Sequence, residues 1–300
     1  MAHQVAHGKC VDRRPAIPVG DTPTLRGVQS FDRPTMCLIV WADRVHPLLP
    51  WVLVANRDEQ HTREALAADW RAAGPPYLAG LDAKAGGSWL AYQPHARIAA
   101  VTNVRQLPFR DDWTHSRGRL VVDWMGLGEH WPQFAARAEA EAATTGPYNL
   151  LLRDNETLRY GGNRPAWHAS DVEPGIHGLS NAALDTPWPK LERCKQALAQ
   201  WLPAVADALQ APRSPDPLLL EPLFVLMRDA EPAADALLPD TGIGLQYERL
   251  LSSPFIESER YGTRCTTLII EWADRRWLFI ERRFGPLGVA LGQSEFAGTA

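Results

Sequence analysis

CLIVWADRVHPLLPWVLVANRDE (residues 37–59) contains two apolar runs, 37–42 and 51–59, separated by a proline-containing turn. Each run has the length and the β-branched content of a buried strand. No helix fits between them, so the two strands pair antiparallel. The second run ends in a polar, charged cluster: Asn56, Arg57, Asp58 and Glu59. A strand that is apolar along its length and polar at its end puts reactive groups at the rim of a rigid sheet.

The same pattern recurs downstream. GGSWLAYQ (86–93) and RIAAVTNV (97–104) read as a second hairpin, whose second strand ends on Thr102 and Asn103. SRGRLVVDWMG (116–126) and WPQFAARAEAEAA (131–143) read as helices, the latter opened by Pro132, whose missing N–H is tolerated in a first turn. YNLLLRD, TLRYGGN and GIHGLSN read as three short strands, and WPKLERCKQALAQWL (188–202) as an amphipathic helix. A proline-rich loop (203–217) leads to another helix around 218–228. RCTTLIIEWA and RRWLFIERRF form a terminal hairpin about an Ala-Asp-Arg turn. Strands at both ends with two helical groups between them predict an α+β fold of two antiparallel sheets, their outer faces covered by helices. Residues 36–300 are expected to form one domain, since no repeat or domain-sized linker interrupts them. Residues 1–35, polar and without periodicity, read as a disordered leader or a mis-assigned start.

The chain's 45% apolar and 22% charged residues are the balance of a globular protein with a real core. A net charge of −4 gives no basic footprint for a phosphate backbone, so nucleic acid is not an expected partner. No apolar run approaches the roughly 20 residues of a spanning helix. Residues 1–35 also lack the apolar core of a secretory signal, so cytoplasmic residence is expected. Cys10, Cys37, Cys194 and Cys265 form no CxxC pair, which fits individual thiols in a reducing compartment better than disulfides or zinc. Phosphate-cradling loops and the GxSxG elbow are absent. No metal and no cofactor is expected.

What remains is a set of polar residues at strand ends: Cys37, the 56–59 cluster, Asn103, Asn181 and Arg264. Singly, each has a structural explanation as turn former, solvated pair, loop cap or small core residue. Cys265, inside an alternating strand, and Cys194, at helical spacing with Leu198, read as packed core. The twelve scattered tryptophans read as core and pocket wall.

In order along the chain, MCLIVWA, ANRDE, GGSWLA, TNVR, LSNAALDTPWPK and YGTRCTTLI resemble the NRDE family, also called the transport and Golgi organisation protein 2 family. The resemblance runs from residue 36 to about 285. That family is similar in outline to N-terminal nucleophile hydrolases of the penicillin V acylase and bile salt hydrolase kind. The resemblance implies their four-layer αββα sandwich and hydrolysis of a non-peptide carbon–nitrogen amide bond through a thioester. It also implies roles. Cys37 would be nucleophile and, through its α-amine, general base; Arg57 would stabilise the thiolate and Asp58 hold the ammonium. Asn103 and Asn181 would face the oxyanion, and Arg264 would complete the positive surroundings of the sulfur.

A terminal α-amine, with a pKa of about 7.7–8.0, can take the proton of a thiol near 8.5, whereas an amide nitrogen cannot. With Met36 attached, Cys37 has no such amine, so the chemistry is expected only when Cys37 begins the chain. The acylases separate their Arg and Asp by a few residues. Here Arg57 and Asp58 are adjacent, and strand alternation predicts that they point to opposite faces unless the strand has ended. Members of the family are also linked to haem or lipid handling. The resemblance therefore implies, as the alternative, a non-catalytic binding or trafficking protein whose ligand is haem or lipid in place of a small-molecule amide. Nothing in the sequence sets the oligomeric state.

Overall fold

The computed structural model describes residues 36–300 apart from 73, 111, 156, 206–207 and 209–215; the expected leader at 1–35 lies outside the described residues. The chain begins with strands β1 (Met36–His46), β2 (Leu49–Gln60), β3 (Ala65–Arg71), β4 (Tyr77–Asp82), β5 (Leu90–Gln93) and β6 (Arg97–Asn103). Helices α1 (Arg117–Gly126) and α2 (Trp131–Ala140) precede β7 (Tyr148–Asp154), β8 (Thr157–Gly162), β9 (His168–Asp171) and β10 (Gly175–Leu179). Helices α3 (Pro189–Val205), α4 (Pro217–Met227) and α5 (Leu245–Leu250) follow, then β11 (Tyr261–Glu271), β12 (Arg276–Phe284) and β13 (Ala290–Thr299).

The strands form two antiparallel sheets, ordered β10-β1-β2-β11-β12-β13 and β3-β4-β5-β6-β7-β8-β9. Side chains alternate across β1: Ile39 and Trp41 enter a core shared with the second sheet, while Leu38, Val40 and Ala42 enter a core shared with α3 and α4. Both faces are covered, which is why residues 37–42 and 51–55 read as unbroken apolar runs. A third core packs α1 and α2 on the outer face of the second sheet, through Val121, Trp124 and Phe134 against Ala99, Leu150 and Leu152. The layers are therefore helix, sheet, sheet, helix, as the sequence predicts. Each fully buried large apolar side chain contributes roughly 1.5–3 kcal/mol, so burial of these faces, more than helix propensity, holds the short outer helices in place.

Strands β3, β4 and β9 and helix α5 are not among the elements read from the sequence, and other boundaries differ. The predicted strand at 86–93 is confined to β5, because residues 86–88 turn toward α1. A Cβ on Gly87 would stand 2.5 Å from the Gly118 carbonyl carbon, so the start of α1 reaches the second sheet only over a glycine. The predicted terminal hairpin is present as β11 and β12, with Leu268 opposite Ile280, but β13 extends that sheet by one more strand. Helix α3 runs three residues beyond 202 and takes Pro203 into its last turn.

Candidate active site

One end of the first sheet gathers the start of β1, the end of β2 and the start of β11. Cys37 lies opposite Arg57 in the β1–β2 ladder, and Arg57 lies opposite Cys265 in the β2–β11 ladder. The register slips between Thr263 and Cys265, so Arg264 is the extra residue of a bulge. Beside this end is a cavity of about 870 Å³, whose wall includes Cys37, Arg57, Trp89, Phe109, Trp113 and Asn181.

Arg57 is 6% exposed. Its guanidinium lies 4.2 Å from the Trp89 ring centre, and Nη2 stands 4.0 Å from Glu59. Nη1 is buried without a protein hydrogen-bond acceptor. A buried cationic donor of this kind favours an anion beside it. Burial, reinforced by the Asp58 carboxylate, pushes the Cys37 thiol up to about 12, although Arg57 and a backbone hydrogen bond from Asp58 pull it down. The thiol is therefore protonated at neutral pH while Met36 remains attached.

Asp58 points the other way. β2 continues to Gln60, so alternation holds, and Asp58 enters the helix-facing side of the sheet. Its Oδ1 accepts a 2.6 Å hydrogen bond from Thr263, while Oδ2 is buried without a protein partner. Burial raises its pKa to about 6, opposed chiefly by the charge of Lys190. Lys190, in the first turn of α3, is 2% exposed and donates to the Leu251 carbonyl at 3.0 Å. Burial lowers its pKa to about 8, opposed by Asp58.

The two asparagines meet. Asn181, just after β10, donates from Nδ2 to the Asn103 carbonyl at 2.8 Å, which commits one of its two amide protons. Ser180 Oγ stands 3.0 Å from both the Cys37 carbonyl and Asn181 Oδ1. Thr102 on β6 donates to the Ser180 carbonyl at 2.5 Å, and Asn149 on β7 donates to the Ala182 carbonyl at 2.7 Å. The second sheet thus fixes residues 180–182 against the start of β1. Arg264 is placed differently from the role the resemblance implies. Its Nη1 donates to the carbonyls of Gln60 and Arg63, both at 2.9 Å, and it holds the turn that follows β2 instead of forming part of the cavity wall. Glu59 is buried and stands 3.7 Å from Arg63 as well as 4.0 Å from Arg57.

Sequence reasoning passes over Asn149, Ser180 and Lys190, and marks Thr102 only as a polar strand end. Lys190 carries a legible signal: it lies four and eight residues before Cys194 and Leu198, on the apolar stripe of its helix. Among the described residues, no group of three His, Cys, Asp or Glu side chains is arranged to hold a metal ion. No described helix is long and apolar enough to cross a membrane.

Fold and site together define an αββα sandwich protein with a cysteine heading the first strand and an arginine and a carboxylate on its neighbour. The chain belongs to the Transport and Golgi organisation 2 family, whose model matches residues 36–286. It is 35% identical over 246 residues to the Transport and Golgi organization protein 2 homolog of Bos taurus, covering 77% of this chain and 85% of that one. The Homo sapiens homolog is 33% identical over the same span. Among solved structures, it is similar to a Caenorhabditis elegans ortholog of N-acylethanolamine-hydrolyzing acid amidase, with 10% identity, a TM-score of 0.34 and coverage of 78% of this chain and 92% of the other. A mutant conjugated bile acid hydrolase from Clostridium perfringens is 7% identical with a TM-score of 0.44, covering 88% of this chain and 96% of the other.

Proposed function

We propose that the chain, when it begins at Cys37, is an N-terminal cysteine hydrolase that cleaves a non-peptide carbon–nitrogen amide bond through a thioester. The observation that carries this reading is the pairing of Cys37 at the head of β1 with buried Arg57, whose Nη1 has no protein acceptor, on the wall of one cavity. The α-amine takes the thiol proton, Arg57 stabilises the thiolate, and sulfur attacks the amide carbonyl carbon. The tetrahedral oxyanion is met by amide dipoles near Asn181, a contribution of roughly 3–4 kcal/mol per donor in comparable sites. The carbon–nitrogen bond breaks, and the amine leaves with the proton held on the Cys37 ammonium. Water, deprotonated by the same amine, then cleaves the thioester and restores the thiol. Three described cysteines, Cys37, Cys194 and Cys265, are free thiols, in keeping with a reducing cytoplasmic setting.

The test is a chain made to begin at Cys37 and incubated with a panel of amides, lactones and esters. The expected result is one equivalent of acyl adduct on Cys37 by intact mass, followed by turnover. No adduct with any member of the panel, together with an alkylation rate equal to that of the chain carrying Met36, overturns the reading.

The second reading, a haem or lipid binding and trafficking protein on the same fold, draws support from the size of the cavity and its aromatic wall of Trp89, Phe109 and Trp113. A Soret shift complete at one equivalent of haem and lost in Cys37→Ala favours it. A featureless titration counts against it.

A further inference from the structure

We propose that Lys190 is a positioning residue that sets the basicity of the Cys37 α-amine, acting through the buried carboxylate of Asp58, which the two cations share. This rests on the amidohydrolase reading and adds a residue to its machinery. A buried ammonium is expensive unless something compensates it. For Lys190 the recorded hydrogen bond is to a neutral carbonyl, that of Leu251. The charge that most favours its ammonium form is Asp58, and Lys190 is in turn the charge that most favours the Asp58 carboxylate.

Asp58 has capacity for a second cation. Oδ1 is taken by Thr263, while Oδ2 is buried without a protein partner. In the β1–β2 ladder Cys37 lies opposite Arg57, and position 36 lies opposite Asp58. A chain that begins at Cys37 therefore ends in an amine next to the position that faces Asp58.

Beside a carboxylate alone, an α-amine gains basicity and is held as ammonium, which cannot accept the thiol proton. A second ammonium nearby reverses that. With Lys190 in place the two influences oppose each other, so the amine is less basic than it would be beside Asp58 alone and is freer to act as a base. The other groups around this point are fixed. On β2, Arg57 faces Glu59 at 4.0 Å; near Lys190, Arg105 is paired with Glu248 at 2.7 Å; β11 supplies the Thr263 hydroxyl, α3 the Cys194 thiol and β1 the Cys37 thiol. Alternation puts Arg57 on the opposite face of β2 from Asp58, whereas Lys190 is the cation that most favours the Asp58 carboxylate.

The experiment uses the chain beginning at Cys37, labelled with 13C at cysteine, and follows the Cys37 carbon shifts by NMR as a function of pH. No substrate is needed. Lys190→Met is expected to raise the amine pKa by about one pH unit, and where turnover is present the acid limb of kcat/KM moves with it while KM is unchanged. Lys190→Arg retains the wild-type titration. Asp58→Asn lowers the amine pKa, and the double variant Lys190→Met/Asp58→Asn, which removes both buried charges, remains available if the single change does not fold. An amine pKa that differs between the double variant and Asp58→Asn, or a Lys190→Met titration identical to wild type, overturns the proposal. A wild-type chain that shows the titration but hydrolyses nothing removes the amidohydrolase reading and leaves the role of Lys190 standing.

Discussion

Arg57 has a cysteine on each neighbouring strand, and the two thiols differ in what else surrounds them. Cys265 is 3% exposed and its thiol is hydrogen-bonded to Glu281, so burial holds it well above its ordinary pKa. Cys37 meets the cavity. In a chain beginning at Cys37, iodoacetamide is expected to label Cys37 ahead of Cys265 and Cys194, read by peptide mass spectrometry. Arg57→Gln should slow that labelling at pH 7 about tenfold, the effect of one pKa unit on the thiolate fraction. A second residue-scale prediction concerns Asp58. Its native pKa of about 6 lies above the ordinary 3.8, so between those values the native state binds more protons than the unfolded chain. Stability should therefore rise as pH falls from 6 toward 4, on the order of 1–3 kcal/mol. Urea melts of wild type and Asp58→Asn across that range check the sign: the variant should lack this gain.

At the scale of elements, the bulge in β11 explains why Arg264 was legible as a site residue while its work was not. Sequence shows an arginine in a polar strand start. Only the register slip turns its guanidinium to the carbonyls of residues 60, 61 and 63. Removing it as Arg264→Ala should cost about 1–3 kcal/mol and speed amide exchange at residues 60–63. Cys37 alkylation should change less than in Arg57→Gln. The apolar strands at 37–42 and 51–59 were legible because both their faces are covered. ALGQSEFAGT was not, because β13 is a mostly exposed edge strand whose partly buried face carries one large apolar residue, Phe296, among Ser294 and Gly298. The network of Thr102, Asn149 and Ser180 was hidden for a different reason. It exists only where two sheets, each internally well patterned, are brought face to face. Lys190 lies in plain view on its helix stripe, but a lysine at that spacing does not by itself show that it is buried.

Across the whole molecule, the apolar slab between the sheets is fixed in register by polar bonds at both ends. At the site end, Thr102 reaches Ser180. At the other, Arg153 on β7 grips Glu271 on β11 through two hydrogen bonds, of 2.8 and 2.5 Å, with its guanidinium 4.7 Å from the Trp51 ring centre. The His95 amide donates to the same carboxylate at 2.9 Å. On the flank, Glu281 on β12 accepts from the Ala68 amide on β3 at 2.8 Å. Breaking a buried pair leaves an uncompensated charge, whereas replacing both partners by apolar groups removes the charge altogether. Arg153→Met should therefore lose ~3–5 kcal/mol, and Arg153→Met/Glu271→Met should recover most of it. Denaturant melts of the four proteins in this cycle measure the coupling. Because the pair lies at the opposite end of β11 from the bulge, the double variant should retain wild-type Cys37 alkylation; a matching loss there would mean that this latch also sets the geometry of the cavity.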